Sequence, residues 1–355
     1  MRILLFRLGA LGDLLMTTPF VRQLRRRFPE ARIEYWTGRS FSRILEGNPH
    51  LDEVIGFPEE IYFHRSVPGI LRLVRSVRRR RYDMAFVLDR HWVFPLSAFL
   101  FGIRRRIGFD RLGREGILLT DRIRYSDVRH EILYYLDLLR PFGGADERDL
   151  GMEFFPAPRE VASAERFWED RGLGGDRVVC LAVGGGENPG QSMPWKRWPA
   201  EAYEELGRRL SADGFRVLLV GGPSDAAVAE RIGGGNRFLS AVGASLGESA
   251  VLLSKACAVV CSDGGTMHLA SAVTDRLISL FGPTDPGRLA PWNGYRLLRG
   301  APPCAPCYDL HGRFPECPHG HACMREVDVT SVHAAVLDLA GRSSAGNEAG
   351  GREDR

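Results

Sequence analysis

Short apolar runs alternate with stretches of helical periodicity along this 355-residue chain, and this alternation constrains its fold more than any other feature. The runs are almost continuously apolar, which is typical of parallel strands that helices cover on both faces. The pattern predicts an α/β fold with two doubly wound parallel sheets. The strand-like runs lie at residues 2–6, 33–36, 54–56, 84–88 and 107–109, and again at 178–183, 216–220, 258–261 and 277–281.

The length and the spacing of these runs indicate two domains. A chain of this size is long for a single hydrophobic core, and a Gly- and Pro-rich passage at residues 141–151 separates the two series of strands. We therefore expect an N-terminal domain over residues 1–155 and a C-terminal domain over residues 156–328. The small polar residues at 342–355 predict a disordered tail.

Charge is distributed unevenly between the two halves. Residues 1–150 contain 27 arginines and 19 acidic residues, a net charge of +8, whereas the remainder carries −4. Arginine runs of this kind form either a solvated face or a surface for an anionic partner, which would be a nucleic acid, an anionic membrane or a phosphorylated substrate. The segment 68–81 interleaves apolar residues and arginines at helical spacing. That spacing suits a helix on a membrane surface, and equally a core-facing helix with a basic outer side.

The sequence predicts neither a signal peptide nor a membrane-spanning helix. The apolar stretch after Met1 is too short for a signal peptide. The longest nearly apolar run, at residues 92–103, is well below the roughly 20 residues that a spanning helix needs. We expect a cytoplasmic protein.

The first strand-to-helix turn carries a carboxylate. Such turns gather ligands in open α/β sheets, and this one reads R-L-G-A-L-G-D, in which Gly9 and Gly12 permit a tight turn. Asp13 then falls at the start of a helix. An acid at this position is either stabilised by the helix dipole or held at the mouth of a ligand site as a general base.

The C-terminal domain has glycine-rich turns that suit a phosphorylated ligand. Gly264 and Gly265 stand where a helix begins, and free backbone amides at such a position bind phosphate well. Thr266 adds a hydroxyl, and Asp225 and Asp263 are placed to accept hydrogen bonds from sugar hydroxyls. Three such turns follow strands, at residues 184–196, 221–225 and 262–270.

Lys196 lies between two tryptophans, in a chain whose 48 basic residues include only one other lysine, Lys255. Lysine is a compact charge on a flexible stem and suits a phosphate that must be approached from one side. Lys196 is therefore either a stray surface residue or a phosphate ligand. Its position beside three glycine-rich turns favours the second reading and predicts a nucleoside diphosphate site.

A dinucleotide cofactor is disfavoured. The G-A-L-G of the first turn lacks the required glycine spacing, and Pro189 stands where the third glycine would be in the turn after residues 178–183. This argues against a nicotinamide-dependent oxidoreductase. A sensor of nucleotide sugars or an RNA-binding protein is a further alternative, but the set of Asp13, Lys196 and Asp263 favours turnover.

Taken in order, these motifs resemble glycosyltransferase family 9, the lipopolysaccharide heptosyltransferases. The resemblance implies a GT-B fold, in which two Rossmann-like domains face each other across a cleft, with the acceptor on the N-terminal side and the nucleotide sugar on the C-terminal side. It also implies that the last helix, at residues 329–341, packs back on the N-terminal domain. The motifs that carry it are R-I-L-L-F-R-L-G-A-L-G-D-L-L-M-T-T-P, W-K-R-W-P, G-G-P, S-D-G-G-T-M-H-L-A and L-F-G-P-T-D-P-G-R-L-A-P-W.

The same resemblance implies roles for individual residues. Asp13 matches the family's general base, and Lys196 matches the lysine that contacts the donor phosphate. The expected reaction is an inverting, metal-independent transfer of heptose from ADP-heptose to the lipopolysaccharide inner core, with no required cofactor. Another nucleotide sugar, used for a surface polysaccharide, is the alternative. Candidate donor-binding residues are Gly12, Ser192, Asp225, Asp263, Gly264, Gly265, Thr266 and His268.

The arginine-rich domain fits an acceptor that is phosphorylated and membrane-anchored, namely the lipid A–core glycolipid. We expect the partners to be this glycolipid, the nucleotide-diphosphate sugar and the anionic inner face of the bacterial inner membrane, with no nucleic acid. Candidate acceptor-binding residues are Arg65, Arg90, His91, Arg104 and Arg105.

Four of the seven cysteines lie close together in a segment at residues 304–323, with three histidines nearby. A C-x-x-C pair followed by a looser C-x5-C pair is compatible with structural zinc. Free thiols and a disulfide are the other two readings, the last being less expected in a reducing compartment. The candidate ligands are Cys304, Cys307, Cys317 and Cys323.

Overall fold

The computed structural model describes the chain except for residues 65, 112, 126–128, 175–176, 189–190, 234–236, 293, 309–315 and 350–355. For residues 187, 188, 191 and 342–349 it describes the backbone alone. The chain forms two compact units, Met1–Phe155 and Pro156–Arg355. Each unit contains a six-stranded sheet whose neighbouring strands run parallel, so the predicted α/β fold with two parallel sheets is confirmed.

The first unit has the strand order β3-β2-β1-β4-β5-β6. The chain crosses back over the sheet between β3 and β4, which places the carboxyl ends of β1 and β4 side by side. Its strands are β1 (Arg2–Phe6), β2 (Arg32–Gly38), β3 (Glu53–Phe57), β4 (Met84–Val87), β5 (Arg105–Asp110) and β6 (Asp121–Arg124). Its helices are α1 (Leu11–Leu15), α2 (Thr18–Arg27), α3 (Glu60–Phe63), α4 (Val67–Arg80), α5 (Val93–Leu100) and α6 (Glu131–Asp137).

Helices cover both faces of this sheet, as the apolar strands predict. Alternate side chains of β1, such as Phe6, pack with Leu73 and Val77 of α4 and with Phe94 and Ala98 of α5. On the other face Phe20 of α2 packs edge-on against Phe86 of β4, with ring centroids 5.2 Å apart. The helix at 68–81 is therefore core-facing along one side, and its arginine-rich side faces outward.

The second unit has the strand order β11-β10-β7-β12-β13-β14. The adjacent strands β10, β7 and β12 are those that the three glycine-rich turns follow. Its strands are β7 (Val178–Ala182), β8 (Glu187–Asn188), β9 (Gln191–Ser192), β10 (Arg216–Val220), β11 (Leu239–Ser240), β12 (Ala258–Ser262), β13 (Leu277–Phe281) and β14 (Tyr295–Arg299). Its helices are α7 (Pro158–Asp170), α8 (Ala200–Ala212), α9 (Ala226–Gly233), α10 (Leu246–Lys255), α11 (Gly265–Ser271), α12 (Pro286–Leu289), α13 (Ala322–Arg325) and α14 (Val329–Ala349).

The last helix, α14, packs in the core of the second unit and is longer than predicted. Its buried side chains Val332, Val336 and Ala340 belong to the core of the second unit, and Arg209 of α8 donates to Thr330 at 3.1 Å. The expectation that this helix packs back on the N-terminal domain stays a prediction. The helix also runs to Ala349, so residues 342–349, expected to be disordered, are helical. No proline interrupts that stretch, and the anchored first turns remove the cost of nucleation. The rest of the predicted tail, 350–355, lies outside the described residues.

All nine predicted strands are confirmed, and the strands that the sequence did not predict are short or lie at sheet edges. β6 reads D-R-I-R and β14 reads Y-R-L-L-R. Edge strands with charged residues bury only part of their surface. They therefore lack the continuous apolar run on which the prediction depended.

Candidate active-site residues

Asp13 lies at the start of α1, directly after a tight turn that follows β1. The turn depends on Gly9, whose φ of +156° is combined with close packing: a Cβ at this position would lie 2.2 Å from the Phe41 ring. Ala10 continues the turn with a φ of +109°. The predicted glycine turn is thus present, and it presents Asp13 at the carboxyl edge of the sheet with 35% of its side chain exposed. Gly12 lies beside it in the first turn of α1.

A buried guanidinium holds Asp13. Arg7 Nη2 lies 2.9 Å from Asp13 Oδ2, and Arg7 Nη1 lies 3.7 Å from Asp89 Oδ1. Arg7 Nη1 also donates to the carbonyl of Leu88 at 2.8 Å. Burial would lower the pKa of Arg7, but Tyr135 and the two carboxylates hold it well above its usual value. Asp13 therefore lies beside a permanent positive charge.

Asp89 is the second carboxylate beside Arg7. It follows β4, next to the end of β1, and accepts a hydrogen bond from the Leu8 amide at 2.6 Å. Burial raises the pKa of Asp89, although Arg7 partly opposes the effect. Sequence analysis missed both Arg7 and Asp89. Their position immediately after adjacent strands is the signal that would have found them.

Arg90, a candidate acceptor ligand, is occupied within the first unit. Its guanidinium donates to Tyr125 Oη at 2.5 Å and to Glu131 Oε2 at 2.7 Å, and it stacks on the Tyr125 ring. Burial would lower the pKa of Arg90, but Glu131 and Tyr135 raise it above its usual value. A fifth of the side chain stays exposed. His91 follows it and is exposed.

The other candidate acceptor ligands are not brought together with Asp13. Arg104 precedes β5 and Arg105 begins it, so both lie at the amino edge of a parallel sheet, whereas Asp13 follows the carboxyl end of β1. Arg105 also pairs with Asp121 at 3.2 Å. The sequence shows a run of arginines but does not show at which edge of the sheet the run lies. Arg65 lies outside the described residues.

Lys196 pairs with Asp263 in the second unit. The Nζ atom lies 2.6 Å from Asp263 Oδ2, and both side chains are nearly buried. Thr284 donates a further hydrogen bond to Asp263 Oδ2 at 2.7 Å. Burial would raise the pKa of Asp263. Lys196 lowers this pKa by more, and His268 lowers it further, so the pKa lies below its usual value. Lys196 is thus built into the site and is not a stray surface lysine.

The two tryptophans that flank Lys196 explain how it is positioned. Trp198 is 2% exposed; its backbone amide donates to Ser262 Oγ at 3.1 Å and its indole donates to the carbonyl of Val327 at 3.0 Å. These bonds fix the chain after Lys196 to the end of β12, from which Asp263 follows. The ring of Trp195 stacks on His321.

Arg197, which the sequence analysis did not single out, links two of the glycine-rich turns. Its Nε donates to the carbonyl of Gly185 at 2.7 Å and its Nη2 to Asp225 Oδ1 at 3.3 Å. Asp225 Oδ2 accepts from the Gly222 amide at 2.9 Å. The contact with the first turn is close, because a Cβ on Gly184 would lie 2.2 Å from Asp225 Oδ2. Asp225 is therefore firmly placed and only 5% exposed.

The third glycine-rich turn joins this group. A Cβ on Gly264 would lie 3.5 Å from Gly185 Cα, so the turns after β12 and β7 are in contact. Gly264 precedes α11, and Gly265 and Thr266 form its first turn, where backbone amides are not used by the helix itself. The structure thus brings together Lys196, Asp225, Asp263 and Gly264, which were predicted for a phosphate and sugar site in this unit. His268 is buried in α11, and Ser192 is exposed at the end of β9.

Among the described residues, no group of three or more Cys, His, Asp or Glu side chains is arranged to hold a metal ion, and structural zinc at the four clustered cysteines stays a prediction. All seven cysteines are free thiols. Burial and the neighbouring Cys304 and Cys317 raise the pKa of Cys307. His311, in the intervening loop, lies outside the described residues.

Among the described residues, no helix has the length and the apolar character required to cross a bilayer.

The chain is similar to known proteins over most of its length. The chain is 29% identical over 309 residues to lipopolysaccharide heptosyltransferase 2 of Salmonella typhimurium, a match that covers 81% of this chain and 84% of the relative. A family 9 glycosyltransferase from Veillonella parvula superposes with a TM-score of 0.80 at 22% identity, covering 96% of this chain and 97% of the other. The ADP-heptose lipopolysaccharide heptosyltransferase II of Escherichia coli gives a TM-score of 0.76 at 23% identity, covering 97% and 100%. These structural likenesses confirm the fold class.

The family profile described as glycosyltransferase family 9 (heptosyltransferase) matches residues 70–315. This span contains Lys196, Asp225, Asp263 and the three glycine-rich turns. The resemblance seen in the motifs is therefore confirmed, and the chain belongs to glycosyltransferase family 9, a family of glycosyl-transferring enzymes.

Proposed function

We propose that the protein transfers L-glycero-D-manno-heptose from ADP-heptose to the inner core of lipopolysaccharide, with inversion at the anomeric carbon and without a catalytic metal. One observation carries the proposal: the buried Lys196–Asp263 pair stands beside three touching glycine-rich turns. Family membership and relatives that are lipopolysaccharide heptosyltransferases supply the substrate class.

On the donor side, the second unit holds the nucleoside diphosphate. The ammonium of Lys196 has three N–H donors, and Asp263 needs only one of them, so the others are available to the donor phosphates. The amides of Gly265 and Thr266 bind the same phosphates. As the bond between the anomeric carbon and the phosphate oxygen breaks, the electron pair remains on that oxygen. Lys196 stabilises the charge that develops there.

The two buried aspartates hold the rest of the donor. Asp263 accepts from hydroxyls of the transferred sugar, and Asp225 accepts from the ribose hydroxyls. Each carboxylate oxygen has two lone pairs, so the bonds to Lys196, Thr284, Arg197 and Gly222 leave acceptor capacity. The protein contacts therefore orient both carboxylates before the donor binds. Ser192 and His268 complete the proposed donor site.

On the acceptor side, Asp13 removes the proton from the attacking hydroxyl. The acceptor oxygen then forms the new bond to the anomeric carbon from the face opposite the leaving group, which inverts the configuration. Arg7 keeps Asp13 in place at 2.9 Å while 35% of the Asp13 side chain remains open to a ligand. Arg90 and His91, which follow the neighbouring strand β4 at the same edge, are the proposed acceptor ligands.

The acceptor is a phosphorylated, lipid-anchored glycolipid, for which a first unit rich in arginine is suited. We accordingly place the enzyme in the cytoplasm, peripheral to the anionic inner face of the bacterial inner membrane. Nucleic acid is not a proposed partner.

The test is transfer by the purified enzyme with ADP-, GDP- and UDP-sugars and de-acylated core glycolipid as acceptor. We expect turnover with ADP-heptose that is lost in Asp13→Ala and in Lys196→Ala. Turnover with a different nucleotide sugar would retain the mechanism and replace the donor. If no sugar is turned over and no nucleoside diphosphate binds the second unit, the proposal is wrong.

A further inference from the structure

Three helices of the first unit form one continuous outer layer. α3 packs closely against the first turn of α4, where a Cβ on Gly69 would lie 2.8 Å from Ile61 Cγ1. α3 is also fixed to α5, because the Tyr62 ring stacks on Phe94 and its hydroxyl lies 2.9 Å from Ser97 Oγ. The beginnings of α4 and α5 are therefore joined through α3.

This layer exposes large apolar side chains near the beginnings of α4 and α5, and α5 also exposes Phe99 and Leu100 at its other end. The exposed fractions are 49% for Phe63, 65% for Val67, 52% for Leu71 and 53% for Trp92. Apolar faces of the same helices are already satisfied by the core, through Leu73 and its neighbours. The four exposed side chains thus form a second apolar set that the fold of this unit does not cover.

The helices α4 and α5 around this set are basic, although Glu60 is exposed at the start of α3. The segments 61–82 and 90–109, which carry α4 and α5, contain no aspartate or glutamate. Arg72 and Arg75 are exposed on α4 and lie within a turn of Leu71 on its outer side. A protein partner or a second copy of this chain would have to cover these arginines with acids of its own, whereas an anionic lipid surface supplies both apolar and anionic groups.

The position of the surface relates it to the candidate acceptor edge. α4 and α5 each begin at the carboxyl edge of the sheet, the edge at which Asp13, Asp89 and Arg90 lie. Val67 and Trp92 stand at those helix starts. An acceptor whose lipid anchor lies in a membrane would therefore reach Asp13 from this side of the unit.

We propose that this outer layer carries a docking surface for an anionic phospholipid membrane. The surface consists of Phe63, Val67, Leu71, Trp92, Arg72 and Arg75. The inference rests on the proposed function, since it names the surface by which the enzyme meets a membrane-anchored acceptor. The apolar side chains enter the interfacial region, where tryptophan is favoured, and the arginines contact lipid phosphates.

The experiment is co-sedimentation of the full-length protein with vesicles of neutral lipid, and with vesicles containing about one-third anionic phosphatidylglycerol. We expect binding to the anionic vesicles alone, weakened as salt rises from about 50 to about 300 mM. The test variants are Val67→Asn with Leu71→Asn, and Arg72→Gln with Arg75→Gln. Each should lower vesicle binding about tenfold or more, as loss of apolar insertion or of two phosphate contacts predicts.

Matched controls separate a local effect from a general one. Arg159→Gln with Arg166→Gln removes two exposed arginines from α7 of the second unit, and Leu337→Asn replaces an apolar side chain of α14 that is 38% exposed. Both should bind vesicles as the wild type does. Transfer to the soluble, de-acylated acceptor should be unchanged in the test variants, because none of the altered residues belongs to the catalytic site.

Failure of this inference is distinguishable from failure of the proposed function. If the wild type does not bind anionic vesicles, or if the test variants bind as well as the controls, the docking surface is wrong even when transfer to the soluble acceptor proceeds. A change from dimer to monomer in Val67→Asn with Leu71→Asn, without loss of vesicle binding, would assign the surface to a second copy instead. Absence of transfer by the wild type would overturn the proposed function alone.

Discussion

Lys196 Nζ lies 2.6 Å from Asp263 Oδ2, and the two side chains are 11% and 4% exposed. Protein groups hold this pair, since Asp263 also accepts from Thr284, and the positive charge is therefore in place before phosphate arrives. Preorganised charge of this kind acts more strongly in transition states than charge that must be gathered during the reaction. In the proposed mechanism, Lys196 supplies the positive charge that stabilises the departing phosphate.

Lys196→Met should therefore reduce kcat by about a hundredfold or more, the usual cost of one lost electrostatic contact in a transition state. Lys255→Met, which alters the one other lysine, is the matched control and should be near wild type. The measurement is steady-state kinetics with the donor varied, alongside circular dichroism to confirm folding. Equal activity of the two variants would remove Lys196 from the mechanism.

Asp13→Asn removes the proposed base but keeps the size of the side chain. We expect kcat to fall by about 10²- to 10⁴-fold, the range over which a general base contributes. The KM for the donor should change little, because Asp13 acts on the acceptor. Glu30→Gln, at an exposed turn of the same unit, serves as control. A variant that loses donor affinity instead would show that Asp13 supports the donor and not the proton transfer.

Gly184→Ala tests the placement of Asp225. The added Cβ would lie 2.2 Å from Asp225 Oδ2, so the carboxylate must shift and its bonds to Gly222 and Arg197 must weaken. We expect the Kd for ADP to rise about tenfold, the effect of losing one good hydrogen bond to a sugar hydroxyl. In Gly174→Ala the new methyl meets open space. Isothermal titration with ADP measures the affinity of both variants. Equal affinities would mean that Asp225 does not bind the ribose.

The sequence predicted the buried strands and the turns between them, because continuous apolar runs and glycines report directly on local structure. It did not predict β6 or β14, whose edge positions need few apolar residues. Within the site, Lys196, Asp263 and Asp225 were found from spacing and resemblance. The pairing of Lys196 with Asp263, and of Arg7 with Asp13 and Asp89, depends on which strands are neighbours. No local pattern contains that information, and the placement of Arg104 and Arg105 at the opposite edge was missed for the same reason.

The cysteines should differ sharply in reactivity. Cys180 and Cys261 are 0% exposed, and burial raises the pKa of each thiol, so little reactive thiolate is present. Cys304 is exposed. Iodoacetamide at about pH 8, near the ordinary thiol pKa, should label Cys304 first and the two buried thiols only after unfolding. Peptide mass spectrometry gives the order of labelling.

Bound zinc would change the expected order of labelling. If Cys304, Cys307, Cys317 and Cys323 bind a metal in solution, Cys304 should resist iodoacetamide until a chelator is added. Elemental analysis of the same sample would then show about one zinc per chain, as a four-cysteine site requires. Rapid labelling without chelator, and no stoichiometric metal, would leave the free-thiol reading.

The buried carboxylate of Glu34 should make the stability of the first unit depend on pH. The side chain is 0% exposed and accepts from Arg2 at 2.6 Å, from Arg32 at 2.6 Å, from Arg80 at 2.8 Å and from Tyr82. Burial would raise the pKa of Glu34, but the hydrogen bonds from Tyr82 and the three arginines lower it to about 2. A lowered carboxyl pKa stabilises the folded state above the unfolded value, roughly 4.3, and this contribution is lost as the pH falls through the range from 4.3 to 2.

Glu34→Gln should therefore destabilise the first unit by about 2 kcal/mol at pH 7, a value discounted for the partial exposure of the arginines. The difference from wild type should shrink as the pH is lowered toward 3, because wild-type Glu34 then begins to take up its proton in the unfolded chain. Hydrogen exchange of the β2 amides, Arg32–Gly38, measures the opening free energy of this unit separately from the other. Glu30→Gln should show no such pH-dependent difference. A Glu34→Gln penalty that stayed constant from pH 7 to pH 3 would mean that shape and packing, and not the ionised carboxylate, account for the stabilisation.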